Sequence, residues 1–112
     1  MAEETTKIQV GEGTQAQLII GIVPLQSLDP SVTYDLDDLD WEVTFIGKGE
    51  YTIVKEQATS LNNGTYECLV DTGATGKASE LMAVLKVKNI PTTSGGTRIE
   101  VTPKLPTGIE VI

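Results

Sequence analysis

The stretch Trp41-Glu42-Val43-Thr44-Phe45-Ile46 alternates bulky apolar and polar residues with a period of two. That period puts Trp41, Val43 and Phe45 on one face of an extended strand, with Glu42 and Thr44 on the other; wound as a helix, the same residues would scatter around the axis. Shorter versions of the pattern recur along the chain, each ended by Gly, Pro or Asn. Punctuation of this kind commits a chain to strands joined by tight turns.

The strands are expected in order. Lys7 to Val10 alternates weakly, and Gly11 to Gly13 breaks it. Gln15 to Val23 follows, with Leu18, Ile20 and Ile22 on one face and Ile19 and Val23 on the other, so it should be covered on both sides. Pro24 ends it, and a polar loop with Asp29-Pro30-Ser31 as a turn leads towards Asp38. After the Trp41 strand, Gly47-Lys48-Gly49-Glu50 connects to Tyr51 through Lys55 as a hairpin. Asn62-Asn63-Gly64 is a turn that tolerates positive φ and opens into Thr65 to Val70. The segment from Lys77 to Lys88 contains good helix formers. Its lysines recur at period two, however, and strands flank it, so it is taken as a core strand closed by Pro91. Gly95-Gly96 is a turn before Arg98 to Thr102, Pro103 and Pro106 bracket a break, and Gly108 to Ile112 is a last short strand. The expected fold is all-β: an immunoglobulin-like antiparallel β-sandwich of about seven to eight short strands. Residues 1–14 form an N-terminal arm or edge strand, and residues 15–112 a single sandwich domain. Met1 to Thr6 has little to fold around and is expected to pack on a partner.

The 112 residues suit one domain. The acidic, polar start is unlike a secretory leader, and no apolar run approaches the length needed to cross a bilayer as a helix. A net charge of −8 argues against nucleic acid as a partner. That charge lies in the first half: residues 1–56 carry 3 bases and 11 acids, residues 57–112 carry 5 of each. The sequence contains no histidine. This removes Ser-His-Asp and Cys-His nucleophilic sites and His-ligated zinc. The single cysteine, Cys68, cannot form an internal disulfide and reads as a buried packing residue. Gly11-Glu12-Gly13 lacks the third glycine and the following helix of a dinucleotide loop. Carboxylates are the chemistry that remains.

Two carboxylate motifs are candidates. Cys68-Leu69-Val70-Asp71-Thr72-Gly73-Ala74 spells the hydrophobic-Asp-Thr-Gly-Ala pattern of aspartic proteases, in which two carboxylates share one proton. A single copy would make the chain half of a retroviral-type homodimer with Asp71, Thr72 and Gly73 catalytic. Such an enzyme needs a long flap hairpin and a second glycine loop after the motif. The 41 residues following Asp71 offer one core strand, a Gly-Gly turn and two short strands. Asp71-Thr72-Gly73 is therefore read as a strand end whose side chains bond local backbone. The second motif, Asp35-Leu36-Asp37-Asp38-Leu39-Asp40, puts four carboxylates in six positions. Asp35, Asp37, Asp38 and Asp40 are calcium candidates, but the glycine and distal Glu of an EF-hand loop are absent. The favoured reading is a solvated loop with Leu36 and Leu39 packed beneath it. Asn63-Gly64-Thr65 formally matches a glycosylation acceptor and is read as a turn.

Several pieces follow one another in order: Tyr34-Asp35-Leu36-Asp37-Asp38-Leu39-Asp40 into Trp41 to Phe45, Asn63-Gly64-Thr65-Tyr66 into Cys68 to Thr72, and Gly76-Lys77 into Leu81 to Pro91. Gly95-Gly96-Thr97 into Arg98 to Val101 and the ending Pro106-Thr107-Gly108-Ile109-Glu110-Val111-Ile112 complete the series. From Tyr34 to Ile112 the chain resembles small β-sandwich structural proteins from the virions of crAss-like and related gut bacteriophages. The Thr-Gly-Ile-Glu ending is the most characteristic piece, and Thr92 to Gly96 departs from the group's acidic, proline-containing stretch. The resemblance implies a non-enzymatic subunit of head-fibre, capsid-associated or tail type, made in the host cytoplasm and carried in the virion. Its implied partners are copies of itself and other virion proteins, with no cofactor, membrane, nucleic acid or small-molecule substrate. In such proteins the Asp-Thr pair marks a strand end. The C-terminal strand is expected to be an edge that can extend a neighbour's sheet. The alternatives are the Asp71 protease and a calcium- or carbohydrate-binding module.

Overall fold

In the computed structural model, residues 7–20, 36–62, 64–91 and 94–112 are described. The larger sheet is built on β3 (Asp40–Ile46), where Trp41, Val43 and Phe45 are buried and the residues between them half-buried. Its antiparallel neighbours are β4 (Glu50–Val54) and β7 (Met82–Pro91), which place Ile53 and Leu85 on either side of Val43. The far edge of β7 is shared by β8 (Thr97–Val101) and β9 (Leu105–Pro106). Pro103, between them, has no N–H to give the ladder. Thr102 spans the break: its N–H donates to the Leu85 carbonyl at 2.9 Å and its hydroxyl accepts from the Leu85 N–H at 3.0 Å.

A bulge in β7 decides which way β8 faces. Val87 pairs with Glu100, but Ile90 pairs with Arg98, and Asn89 between them takes the left-handed φ of 60°. A strict alternation from Leu85 and Val87 would point Ile90 outwards; the extra residue turns it inwards, where it is fully buried. On β8, Arg98 and Glu100 accordingly lie half-buried on the core side, paired at 3.0 Å, while Ile99 and Val101 stand out at 57% and 55% exposure.

The smaller sheet runs β2 (Gln15–Ile20), β6 (Thr65–Asp71), β5 (Thr59–Asn62). Ala16, Leu18 and Ile20 face Val70, Cys68 and Tyr66 across the ladder, and these residues pack against the larger sheet in one core. Trp41 and Tyr66 meet edge-to-face between the sheets, 5.0 Å apart at 75°. The sheet is covered on one face only among the described residues. Ile19, expected to be covered, is 62% exposed, and Leu69 is 48% exposed. Gly21 to Val23, the expected end of this strand, lie outside the described residues, as does the N-terminal arm Met1 to Thr6.

β1 (Ile8–Val10) and β10 (Ile109–Val111) form a parallel pair, an exception to the antiparallel rule of the two sheets. The C-terminal strand is not the open edge expected of it. On one side the Ile112 N–H donates to Val10 and the Ile8 N–H to Gly108, both at 2.9 Å. On the other, Ala78 and Val111 exchange bonds of 3.0 and 2.8 Å, and the Leu81 N–H reaches Ile109 at 2.8 Å. Ala78 to Leu81, expected to open the core strand, instead cross to β10, so that strand starts at Met82. The all-β, sandwich-like architecture stands, with ten strands among the described residues, because β5 and β9 are too polar or too short to show in the alternation.

Candidate functional site

β6 delivers Asp71 to a one-turn helix, α1 (Thr72–Thr75). The Asp71 carboxylate is exposed, and its Oδ1 accepts from the Gly73 N–H at 2.9 Å, which caps that turn. Thr72 is fully buried. Its hydroxyl accepts from the Thr14 N–H at 2.9 Å and points its proton at the carbonyls of Thr14 (2.7 Å) and Gly11 (3.0 Å). The Thr72 N–H also donates to the Thr14 carbonyl, at 2.9 Å. From the opposite side the β3–β4 hairpin presses in: the Gly49 N–H donates to Thr75 at 2.8 Å. A Cβ at Gly49 would lie 2.5 Å from the Ala74 carbonyl oxygen, and one at Gly47 2.6 Å from that of Thr75. Gly76, at a φ of 71°, ends the helix in a conformation that suits glycine. The Asp71 carboxylate thus bonds local backbone, as expected, whereas the Thr72 hydroxyl bonds backbone 58 and 61 residues away, and the arrangement clamps two turns onto one strand end.

The acidic loop is tied down from within. Leu36 and Leu39 are buried beneath it. Asp37 Oδ1 accepts from the Tyr66 hydroxyl at 2.6 Å, and its Oδ2 from the Gly64 N–H at 3.1 Å. The Lys55 ammonium donates to the carbonyls of Asp37 (2.9 Å) and Leu39 (2.7 Å), so two loop carbonyl oxygens already face a cation. Asp38 is exposed, and Asp40 has moved into β3 opposite Lys88. No group of three or more metal-capable side chains comes together among the described residues. Asp35, the fourth calcium candidate, and Asn63 of the formal glycosylation acceptor lie outside them.

Three of the surface depressions are lined by described residues. One of about 500 Å³ borders the acidic loop beside Asp38, Asp40 and Glu56. A second, about 340 Å³, is ringed by Lys48, Lys77 and Lys104 near the other end of β3. The third, about 240 Å³, is apolar and lies between β2 and β9, lined by Leu18, Ile20, Phe45, Ala83, Leu105 and Pro106. Cys68 opens onto none of them. It is fully buried, and burial, helped by the charge of Glu67, pushes its thiol up from 9.0 to about 11. It is a packing residue, as expected from its place in an apolar strand. Lys88 is also raised, by its bond to Glu42 at 3.0 Å on the surface. No described helix is long and apolar enough to cross a membrane.

The clamp leaves no mark in the sequence, for a physical reason. Gly47 and Gly49 read as turn glycines, whereas their missing Cβ atoms are what let two backbones touch. The Lys55 contact links positions sixteen and eighteen residues apart and leaves no local pattern. No protein-family model, curated protein or solved structure matches the chain.

Proposed function

We propose that this chain is a non-enzymatic structural subunit of a bacteriophage virion, of head-fibre, capsid-associated or tail type, working through protein–protein contacts. The observation that carries the reading is where the apolar side chains stand. Ile19 and Leu69 are exposed on the outer face of the smaller sheet, Ile99 and Val101 on that of the larger. Exposed apolar groups on rigid strands suit burial against another protein. Two of the candidate carboxylates are engaged within the fold: Asp71 accepts from the Gly73 N–H at α1, and Asp37 from the Gly64 N–H and the Tyr66 hydroxyl. The order of motifs from Tyr34 to Ile112, which resembles that of small phage sandwich proteins, suggests the virion context. The test is mass spectrometry and antibody-labelled electron microscopy of purified phage particles made with this chain. The chain should be present in many copies and at a fixed location; particles that lack it, or that form normally after its deletion, would refute the reading.

A further inference from the structure

The bases of this acidic chain are not spread evenly over it. The sequence holds 8 Lys and Arg against 16 Asp and Glu. Lys48, Lys77 and Lys104 ring one depression of about 340 Å³, and Lys7 reaches its rim by donating to the Ser79 carbonyl at 2.8 Å. The four come from separate segments, and the fold fixes where they stand. Lys48 lies between Gly47 and Gly49, the two residues pressed against α1. Lys77 follows Gly76, where a Cβ would lie 3.4 Å from the Lys48 Cβ. Lys104 lies in the break between β8 and β9, two residues after Thr102 is bonded to Leu85.

The positive charge there is not answered from within. Glu80 is the one carboxylate in the lining, and both its oxygens are engaged: Oε1 with Lys7 at 3.7 Å, Oε2 with the Gly108 N–H at 2.8 Å. Glu12 and Glu50 lie at this end of the molecule too, but neither lines the depression. Lys48, Lys77 and Lys104 make no ion pair or hydrogen bond among the described residues. Their side chains are exposed, so packing does not require them. Nor does the net charge of −8 cancel them. The acidic loop precedes the far end of β3, and seven residues of strand set it about 20 Å away, against a screening length of about 8 Å at physiological salt.

We infer that this depression docks an acidic peptide segment of a different protein, its carboxylates meeting Lys48, Lys77 and Lys104. Three features select that class of partner. The cations are all lysines, point charges that suit single carboxylates, without the fork by which arginine grips phosphate. Ile46 and Met82, both half-buried, line the depression and suit an aliphatic side chain set between acids, which a peptide carries and a polyanionic glycan does not. No aromatic ring lines it, so bases and sugars find nothing to stack on. A second copy is a poor partner: the Asp37 carboxylate of its acidic loop is bonded to Tyr66 and Gly64, and two chains of −8 repel. The inference deepens the structural reading and rests on it only for the partner's being another protein of the particle. Peptide binding in solution tests the depression and presence in particles tests the function, so either can fail alone.

The experiment is fluorescence anisotropy of labelled Glu-Glu-Leu-Glu-Glu titrated with the full chain at low salt. Gln-Gln-Leu-Gln-Gln, a thymidine decanucleotide and a heparin fragment are run beside it. The acidic peptide should bind, and binding should fade as salt rises. Lys48→Gln, Lys77→Gln and Lys104→Gln should each weaken it about threefold, and the triple variant at least about tenfold. Lys86→Gln makes the same charge change on β7, opposite Glu42, and should leave binding unchanged. These side chains stand at the surface, so an unaltered circular dichroism spectrum is expected throughout. Failure of the acidic peptide to bind would overturn the inference, as would equal binding of the glutamine peptide or an equal loss in Lys86→Gln. Tighter binding of the decanucleotide or of heparin would give the lysines to a phosphate or sulfate polymer and overturn it too. So would binding seen only in a Glu3→Gln, Glu4→Gln chain, which would assign the lysines to the chain's own N-terminus.

Discussion

The Asp71 turn and the Asp37 loop both look like sites in the sequence, and both are held as architecture, but by opposite means. The Asp71 turn is fixed by backbone crowding. Gly47 and Gly49 let the hairpin touch α1, and the one side chain that matters inside, Thr72, bonds to main chain only. Side chains hold the Asp37 loop instead: a carboxylate on Tyr66 and Gly64, an ammonium on two carbonyls. A region fixed by crowding should tolerate loss of its charge and reject a methyl group. One fixed by polar side chains should show the reverse.

The strongest way to break this contrast is Gly49→Ala. The new Cβ would meet a backbone oxygen at 2.5 Å, and that oxygen belongs to a turn held on its other side by Thr72. Overpacking against rigid backbone should lower stability by about 3 kcal/mol, read from the midpoint of urea unfolding. A loss below about 1 kcal/mol would mean that the clamp yields, and that the two regions do not differ in kind. Thr72→Val comes next. Its shape is nearly kept, but the buried hydroxyl's bonds to the Thr14 N–H and to the Thr14 and Gly11 carbonyls are lost, at an expected cost of about 2 kcal/mol. A neutral result would show that crowding alone secures the turn.

These positions also show what the sequence could reveal. The core face of β3 was legible because Trp41, Val43 and Phe45 alternate within one strand, where period two is a direct consequence of backbone geometry. The inward turn of Ile90 was not, because it depends on a bulge at Asn89 that only the pairing with β8 discloses. β5 carries no apolar alternation and is exposed along its whole length, so nothing in it distinguishes strand from loop. The strand-end role of Asp71 could be read from too little chain after it. The reason Thr72 follows it could not, since its partners lie 58 and 61 residues away. Local periodicity reports faces; long-range backbone contact leaves no such trace.

On the polar side of the comparison, Tyr66→Phe removes one hydroxyl and keeps the ring against Trp41. The lost bond is short and made to a carboxylate, so about 1.5 kcal/mol should disappear, measured by the same unfolding midpoint. If Tyr66→Phe proved as costly as Gly49→Ala, side-chain and backbone control would be equal partners. The contrast would then sharpen into one of chemistry alone.

Asp71→Asn should have the smallest effect, and it separates the two meanings of the motif. Asparagine caps a helix about as well as aspartate, and its amide oxygen can still accept from the Gly73 N–H, now 2.9 Å from Oδ1. The carboxylate is exposed, so its neutralisation leaves no buried charge unpaired. Stability should therefore change by no more than about 0.5 kcal/mol. Asp71→Ala, which removes the acceptor itself, should cost about 1 kcal/mol. A protease dyad predicts something else: two Asp71 carboxylates across a two-fold axis sharing a proton, and peptide cleavage at acidic pH that Asp71→Asn abolishes. Acid cleavage by the unmodified chain, lost in Asp71→Asn with folding intact, would overturn the architectural reading of this turn. A cap that asparagine replaces without loss of stability, in a chain that cleaves nothing, would leave Asp71 as the end of a strand.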